Sequence, residues 1–463
     1  MVFSSILFLF RFFPVAMAVY YLAPRRYKNL VLLIESLIFY SWGEVRYFPI
    51  MVASILVDYI ASNGIQKHRG NKTACRAFLT LSVVFNLGML GFFKYTNFLL
   101  GNLGSLTGLS LPTLSLTLPL GISFYTFQTM SYTIDVYRGK VPAEKNIIDF
   151  GAFVVLFPQL IAGPIVRYTD VNRELKSRVI TLADVQEGID IFIRGLGRKV
   201  LIANNIGALW TEVSAMNFDA ISTPLAWLGI LAYTFQIYFD FSGYSQMAIG
   251  LGRMLGFRFP QNFNDPYIAK SVTSFWRRWH MTLGSWFREY LYIPLGGNRC
   301  GKLRQCFNIL VVWALTGFWH GAGWNFLFWG FYYGVLLLLE KLLLGKFLRR
   351  APALVQHLYT MVIVVIGWVF FASPDLSTAL NYLGVMFSLE AGTMGTMTIV
   401  GPWIGMAVLG VLASTPLAKG IWERLQHRKA MPLVEAVLCL AALLLCTASL
   451  VSDSYNPFLY FRF

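Results

Sequence analysis

One histidine stands alone in a long uncharged part of the sequence. Between Arg304 and Glu340 the only residue that can carry charge near neutral pH is His320. An imidazole titrates near neutrality and can act as a general base, although a core histidine can also simply bond a backbone carbonyl. The run is too long for one upright helix of ~20 residues and too short for two full spans. Because glycines at 317, 321 and 323 weaken a helix there, we predict a bent or paired element with the imidazole at the bend.

A second histidine closes a segment rich in tryptophan and arginine, Ser274-Phe-Trp-Arg-Arg-Trp-His280. Helical spacing through residue 288 sorts this segment into two faces, one of Trp276, Trp279, Leu283 and Trp286 and one of Arg277, Met281 and Arg288. This pattern predicts an interfacial amphipathic helix with tryptophans at headgroup depth and arginines toward water or phosphate. A plain membrane anchor would give the same pattern.

The arginines of this segment suggest a more specific role. Arginine binds phosphate oxygens through two parallel hydrogen bonds. We therefore expect Arg277, Arg278 and His280 to line the mouth of a cavity that takes a phosphate-rich donor.

An acidic residue, Asp240, lies within an otherwise apolar and aromatic stretch from about 225 to 252. An unpaired charge in lipid is costly. Asp240 could therefore orient a histidine, pair with an arginine, or satisfy backbone groups.

The composition indicates what positions these residues. Of 463 residues, 57% are hydrophobic and 13% are charged, with a mean hydropathy of +0.59, whereas a soluble domain has about 25% charged residues. Charge-poor stretches long enough to span a membrane recur along the chain, and helices satisfy their own backbone in lipid. We predict an all-α polytopic membrane protein with a single domain, 1–463. It would have roughly ten to thirteen helices, with re-entrant and interfacial segments in 138–304.

The basic residues mark the membrane sides. The net charge is +16, but the lysines and arginines lie in short loops between apolar segments, as the positive-inside rule predicts, so we expect no nucleic-acid binding. The loops after the segments near 2–22, 47–64 and 117–137 are basic, as are the segments that precede the spans near 355–372 and 431–451, whereas 373–418 has no lysine or arginine. Both termini are therefore expected outside. The five cysteines have no metal-ligand spacing, and we expect no metal.

Three motifs together give the chain a family resemblance. The runs QIYFDFSGYSQMAIGLGRMLGF, SFWRRWHMTLGSWFREYLYIPLGGNR and GFWHGAGWNF resemble those of the membrane-bound O-acyltransferase (MBOAT) family, in its bacterial alginate O-acetylation branch. The resemblance implies a ring of helices around a central pore. It also implies that His320 is the catalytic histidine and His280 the second histidine of the family. Gln246 stands where an aspartate is expected in this branch.

The resemblance also implies the reaction and its participants. A cytoplasmic thioester, acetyl-CoA here, would donate an acyl group, with no permanently bound cofactor. A separate extracytoplasmic SGNH-type acyltransferase would then esterify a secreted polysaccharide, with the present chain in the bacterial inner membrane and in contact with lipid. The residues expected to bind the donor or substrate are Arg277, Arg278, Trp276, Trp279, Asp240 and Asn325.

A mechanism follows from a buried, neutral His320. The imidazole would take the proton of an acceptor hydroxyl as that oxygen attacks the thioester, and exclusion of water would protect the donor. A transient acyl-histidine is the alternative. We expect Tyr460, in the C-terminal tail NPFLYFRF, to carry the acyl group outward as a phenolic ester. An aromatic residue at the membrane interface would look the same.

Two other functions remain open at this stage. Another acyl group, such as D-alanine, could come from a carrier-protein thioester. Alternatively, Asp240, His280 and His320 could form a proton or substrate path in a transporter of a lipid-linked sugar.

Overall fold

The computed structural model describes residues 1–161, 163–389, 395–428, 430–452 and 459. These residues form two compact units, and the chain passes from one unit to the other after Phe192, Tyr244 and Pro260. One unit comprises Met1–Phe192 with Ser245–Pro260, and the other comprises Ile193–Tyr244 with the described residues of Gln261–Phe463.

The first unit is built from helices that enclose a buried polar cluster. Its helices are α1 (Phe13–Leu22), α2 (Lys28–Glu44), α3 (Phe48–Lys67), α4 (Lys72–Thr107), α5 (Ile122–Tyr137), α6 (Ile147–Val155), α7 (Phe157–Leu160), α8 (Tyr168–Lys176) and most of α9 (Leu182–Gly197). Helices α3, α4 and α5 pack against one another. Asp58 of α3 lies between them and accepts hydrogen bonds from Ser82, Asn86 and Thr133.

The second unit holds the chemistry predicted from the sequence. Its helices are α10 (Asn204–Ser214), the first two thirds of α11 (Thr223–Met254), α12 (Val272–Trp276), α13 (Met281–Phe287), α14 (Lys302–His320), α15 (Trp324–Leu339), α16 (Gly345–Arg350), α17 (Ala353–Ala372), α18 (Leu376–Phe387), α19 (Thr396–Val400), α20 (Ile404–Ala413), α21 (Leu417–Leu425) and α22 (Met431–Ser452). A π-helical turn, Arg198–Ala203, joins α9 to α10, and others follow α13 and α15. Helices α14 and α15 pack along each other, and α15 packs on α17.

Several helices are long and apolar enough to cross a membrane. Within the described residues there are six such segments: Arg25–Lys67, Lys72–Thr107, Trp324–Arg350, Ala353–Ala372, Thr396–Ala413 and Met431–Ser452. The prediction of an all-α polytopic membrane protein is confirmed. The spans predicted near 355–372 and 431–451 coincide with α17 and α22. The first apolar segment, predicted over 2–22, forms a shorter helix, Phe8–Leu22.

The prediction of one amphipathic helix through residues 276–288 is wrong. Helix α12 ends at Trp276, and α13 begins at Met281. The turn between them bonds to a distant segment: Asn264 N–H donates to Arg278 O, and Met281 N–H donates to Asn262 O, both at 2.9 Å. Main-chain groups that a continuous helix would use internally are thereby committed elsewhere.

The tryptophans of this segment also lie in a different environment from the one predicted. Trp279 is buried and packs on Trp368 at a ring-centroid distance of 4.8 Å. Trp276 meets Trp313 at 4.8 Å and Tyr333 at 4.7 Å. These rings form an aromatic core instead of a headgroup anchor.

Candidate active site

His320 is the last residue of α14, and Gly321 to Gly323 separate it from α15. The two helices touch through glycines: a Cβ on Gly317 would lie 2.2 Å from the Phe326 carbonyl oxygen, and one on Gly330 would lie 2.3 Å from the Trp313 carbonyl oxygen. Any side chain at either position would push the helices apart. The predicted paired element is thus a close helical hairpin with His320 beside its connection.

Aromatic rings surround the His320 imidazole. Its ring centroid lies 5.0 Å from that of Trp319, 5.1 Å from Trp329 and 5.2 Å from Phe371, all edge to face. The residue is 4% exposed. Packing against large, flat side chains fixes the plane of the imidazole.

His280 is held by the backbone and by a hydrogen bond. It occupies the turn between α12 and α13 with a φ of 42°, in the left-handed region, where few residues other than glycine, asparagine, aspartate or histidine are found. Its Nδ1 lies 3.0 Å from Asn262 Oδ1. The same oxygen accepts the N–H and the hydroxyl of Thr282 at 3.3 Å and 2.8 Å, so Nδ1 is assigned as the protonated nitrogen. In the neutral imidazole Nε2 is then the basic nitrogen.

Both histidines line one cavity of about 890 Å³ in the second unit. This volume lies within the range of small-molecule and cofactor sites, ~300–1,000 Å³. Trp276, Trp279, Trp313 and Leu283 contribute apolar walls. His280 also contacts Trp319, with ring centroids 6.3 Å apart, so the residue preceding His320 connects the two imidazoles.

The cavity lining is strongly cationic. Its basic side chains are all exposed: Lys270, Arg277, Arg288, Lys341, Lys346 and Arg349. None of them forms an ion pair within the described part of the chain. The acidic lining residue, Glu340, is buried and caps α12, accepting the N–H groups of Val272 and Thr273 at 2.6 Å and 2.9 Å. The lining therefore presents a surplus of positive charge to a ligand.

Two of the predicted donor-binding residues have structural partners. Arg278 turns toward a loop, where its Nη1 donates to the Asn264 carbonyl at 3.0 Å. Asn325 is buried at the start of α15, and its amide donates to the carbonyls of Phe370 and Ser373 at 3.2 Å and 2.9 Å. Neither is among the residues that line the cavity. Asn325 joins α15 to the end of α17, which carries Phe371 to the imidazole of His320.

Asp240 pairs with a lysine, a partner that the sequence analysis did not name. Its Oδ1 lies 2.5 Å from Lys199 Nζ, and its Oδ2 accepts the main-chain N–H of Leu459 at 2.9 Å. In the other unit, the Oε1 atom of Gln246 is buried and has no hydrogen-bond partner among the described residues. Tyr460 lies outside the described residues.

Sequence reasoning missed four residues of the site. Asn262 lies 18 residues before His280, and nothing in the sequence links the two. Lys341, Lys346 and Arg349 belong to a basic segment that the sequence analysis used only to assign a membrane side. Because they directly follow the apolar run that contains His320, they could have been expected at the entrance of a cavity around that histidine. No three His, Cys, Asp or Glu side chains gather as metal ligands in the described ranges.

Comparisons with known proteins identify the family. The profile of the membrane-bound O-acyltransferase family matches residues 142–384, which contain both histidines. A protein of Azotobacter vinelandii named "probable alginate O-acetylase" is 39% identical over the whole of both chains. A "peptidoglycan O-acetyltransferase" of Helicobacter pylori is 34% identical over 100% of this chain and 98% of its own. A "teichoic acid D-alanyltransferase" of Streptococcus thermophilus is 30% identical over 49% of this chain and 58% of its own.

The relatives that match over their full length are named for transfer of acetyl groups to different polymers. The family, the multi-pass helical architecture and the class of enzyme are therefore shared, whereas the final acceptor differs among them. The chain belongs to the membrane-bound O-acyltransferase family and is an O-acyltransferase.

Proposed function

We propose that this protein takes an acetyl group from acetyl-CoA at the cationic cavity and passes it toward a secreted or cell-surface polysaccharide, with His320 as the general base. The observation that carries the proposal is a single cavity that joins both histidines to six unpaired basic side chains. CoA carries several phosphates on a long arm, and lysine and arginine bind such groups. The pantetheine arm of CoA would then extend from the basic side chains toward the two histidines.

The chemistry needs one base and an ordered donor. The neutral His320 imidazole takes the proton of the acceptor hydroxyl while the hydroxyl oxygen attacks the thioester carbonyl. The carbon–sulfur bond breaks, an ester bond forms, and the CoA thiolate leaves with the proton that the imidazolium returns. Aromatic walls around His320 limit water and so limit hydrolysis of the donor. His280, held by Asn262, would orient the reacting groups within the same cavity.

The acceptor inside the membrane is proposed to be Tyr460. Its phenol would receive the acetyl group as an ester and pass it to an extracytoplasmic SGNH-type acyltransferase. The protein would lie in the bacterial inner membrane, with both termini on the extracytoplasmic side. The acetyltransferase names of the full-length relatives support acetyl over D-alanyl transfer.

A donor assay with purified protein tests the reaction. Acetyl-CoA and an acetylated carrier protein are supplied in parallel, and acetyl transfer to the C-terminal peptide is followed by mass spectrometry. Acetyl-CoA should label the peptide at Tyr460, and Tyr460→Phe should abolish the label. Labelling from the carrier protein alone would refute the CoA donor.

A cellular assay separates the enzyme from a transporter. A strain with His320→Ala should export polymer at a normal level without acetyl groups. Blocked export with a polymer that remains acetylated would contradict the proposal. Normal acetylation in a Tyr460→Phe strain would exclude the tyrosine relay while leaving the base intact.

A further inference from the structure

A buried ion pair in the second unit takes no part in lining the cavity. The Lys199 side chain is fully buried, and that of Asp240 is 3% exposed. The pair forms where α11 packs closely against the main chain that precedes α10. A Cβ on Gly243 would lie only 2.7 Å from the Gly195 carbonyl oxygen and 3.0 Å from the Lys199 main-chain nitrogen. Gly243 and Asp240 are three residues apart and share a face of α11. The glycine therefore permits the approach that brings lysine and carboxylate together.

The second oxygen of Asp240 binds the C-terminal end of the chain. It accepts the Leu459 N–H at 2.9 Å, across 219 positions of sequence, and Leu459 is itself buried, with 8% of its surface exposed. Leu459 lies seven residues beyond Ser452, where α22 ends. Helix α22 packs against the π-helical turn that carries Lys199. The last helix and Leu459 thus converge on the same ion pair.

This arrangement suits an anchor for the main chain. A buried ion pair offsets its desolvation only when its remaining hydrogen-bonding positions are filled, and here a backbone N–H fills one of them. A hydrogen bond from a main-chain donor to a carboxylate is stronger than one between neutral groups. Because the donor is a main-chain N–H, the bond can hold residue 459 in place whatever its side chain, provided that the residue is not proline.

We propose that the Lys199–Asp240 pair positions the C-terminal end of the chain by holding the main chain of Leu459. The inference rests on the proposed function for its purpose, because Leu459 directly precedes Tyr460. An anchor at 459 would set how far the tyrosine reaches. The anchor itself can be measured without any transfer reaction.

The test compares two substitutions at one residue. Leu459→Pro removes the N–H donor and leaves Asp240 and Lys199 intact, whereas Leu459→Ala keeps the donor. A cysteine replaces Phe463 in a chain whose five native cysteines are changed to serine. The rate of its modification by a bulky maleimide is measured on purified protein in detergent. We expect the Leu459→Pro rate to exceed the Leu459→Ala rate roughly tenfold, the factor that a lost hydrogen bond of this kind gives.

A second pair of variants tests the anchor from the other side. Lys199→Met with Asp240→Leu removes both charges together, so that no lone charge stays buried, and should also expose the cysteine. Arg253→Gln, on the same helix, breaks the ion pairs with Asp184 and Glu187 and should leave the rate unchanged. Ser454→Pro controls for a proline added to the tail. If Leu459→Pro is modified no faster than Leu459→Ala, the anchor is refuted.

The anchor and the relay fail separately. Faster modification in Leu459→Pro with full transfer in Tyr460→Phe would keep the anchor and discard the tyrosine relay. Unchanged modification with transfer abolished in Tyr460→Phe would keep the relay and discard the anchor. If both hold, Leu459→Pro should reduce acetylation of Tyr460 while Leu459→Ala retains it.

Discussion

The Asp58 cluster of the first unit and the two histidines of the second unit are both buried among helices, but they differ in their surroundings. In the first unit, Asp58 is enclosed by hydroxyl and amide donors from α4 and α5, and Asn86 in turn accepts from Ser54 and Thr129 at 3.1 Å each. In the second unit, His280 and His320 open onto a cavity. The polar atoms of the Asp58 cluster bond to one another, whereas the two histidines line a space that a ligand can occupy.

We use this difference to propose which buried polar groups hold helices together and which take part in chemistry. An intramembrane ionisable residue is by default a functional candidate, and Asp58 meets that description as well as His320 does. What distinguishes them is where the side chains lie: Asp58 lies among donors from neighbouring helices, whereas both histidines line a cavity large enough for a small molecule. We therefore assign Asp58 to the packing of α3, α4 and α5, and we propose that the histidines take part in the reaction.

The largest expected effect is at His320. His320→Ala should lower acetyl transfer per folded molecule by about 10²–10⁴, the range that a general base contributes, while the protein still accumulates in the membrane. Transfer is measured as CoA released from acetyl-CoA. A fall of less than about threefold would remove His320 from the base role and erase the contrast with Asp58.

A smaller loss is expected when the partner of His280 is removed. Asn262→Leu deletes the acceptor of the Nδ1 proton and should lower the transfer rate about 10- to 100-fold, as seen when the residue that orients a functional imidazole is lost. Thr282→Val removes a hydroxyl from the same Asn262 oxygen and serves as the matched control, with a loss of only a few-fold. Equal losses in both variants would point to a fold defect instead of a positioning role.

The cationic lining should affect donor binding more than turnover. Lys346→Gln combined with Arg349→Gln should raise the KM for acetyl-CoA several-fold and leave kcat nearly unchanged, because these side chains bind the donor away from the reacting bond. The KM of the parent protein should also rise with salt, since exposed charges are screened. Lys419→Gln, outside the cavity and paired with Glu423, is the control. A KM that does not respond to either change would rule out phosphate recognition here.

The smallest effect on turnover is expected at Asp58. Asp58→Asn leaves part of the network without its partners and should lower stability by about 1–3 kcal/mol, seen as a lower melting temperature in detergent. The transfer rate per folded molecule should stay within about twofold of the parent. A rate loss comparable with that of His320→Ala would break the comparison on which the site assignment rests.

The sequence anticipated features that depend on local composition. The glycines around His320 predicted the hairpin, and charge-free stretches predicted α17 and α22. Sequence reasoning failed where residues distant in the sequence determine the backbone conformation. The tryptophan segment has helical periodicity, yet Asn262 and Asn264 take its main-chain hydrogen bonds and split it. Asp240 was identified as needing a partner, but Lys199 lies 41 positions away and reaches it through a glycine contact that no local pattern reveals.

The left-handed backbone conformation at His280 restricts which amino acids can replace this histidine during evolution. Glycine and asparagine keep the turn at little cost, whereas valine, isoleucine or threonine would be strained at a φ of 42°. A lineage could therefore exchange the imidazole for a carboxamide and keep the same loop. At His320, which ends a regular helix, no such backbone restriction exists, and what limits variation there is the loss of the base.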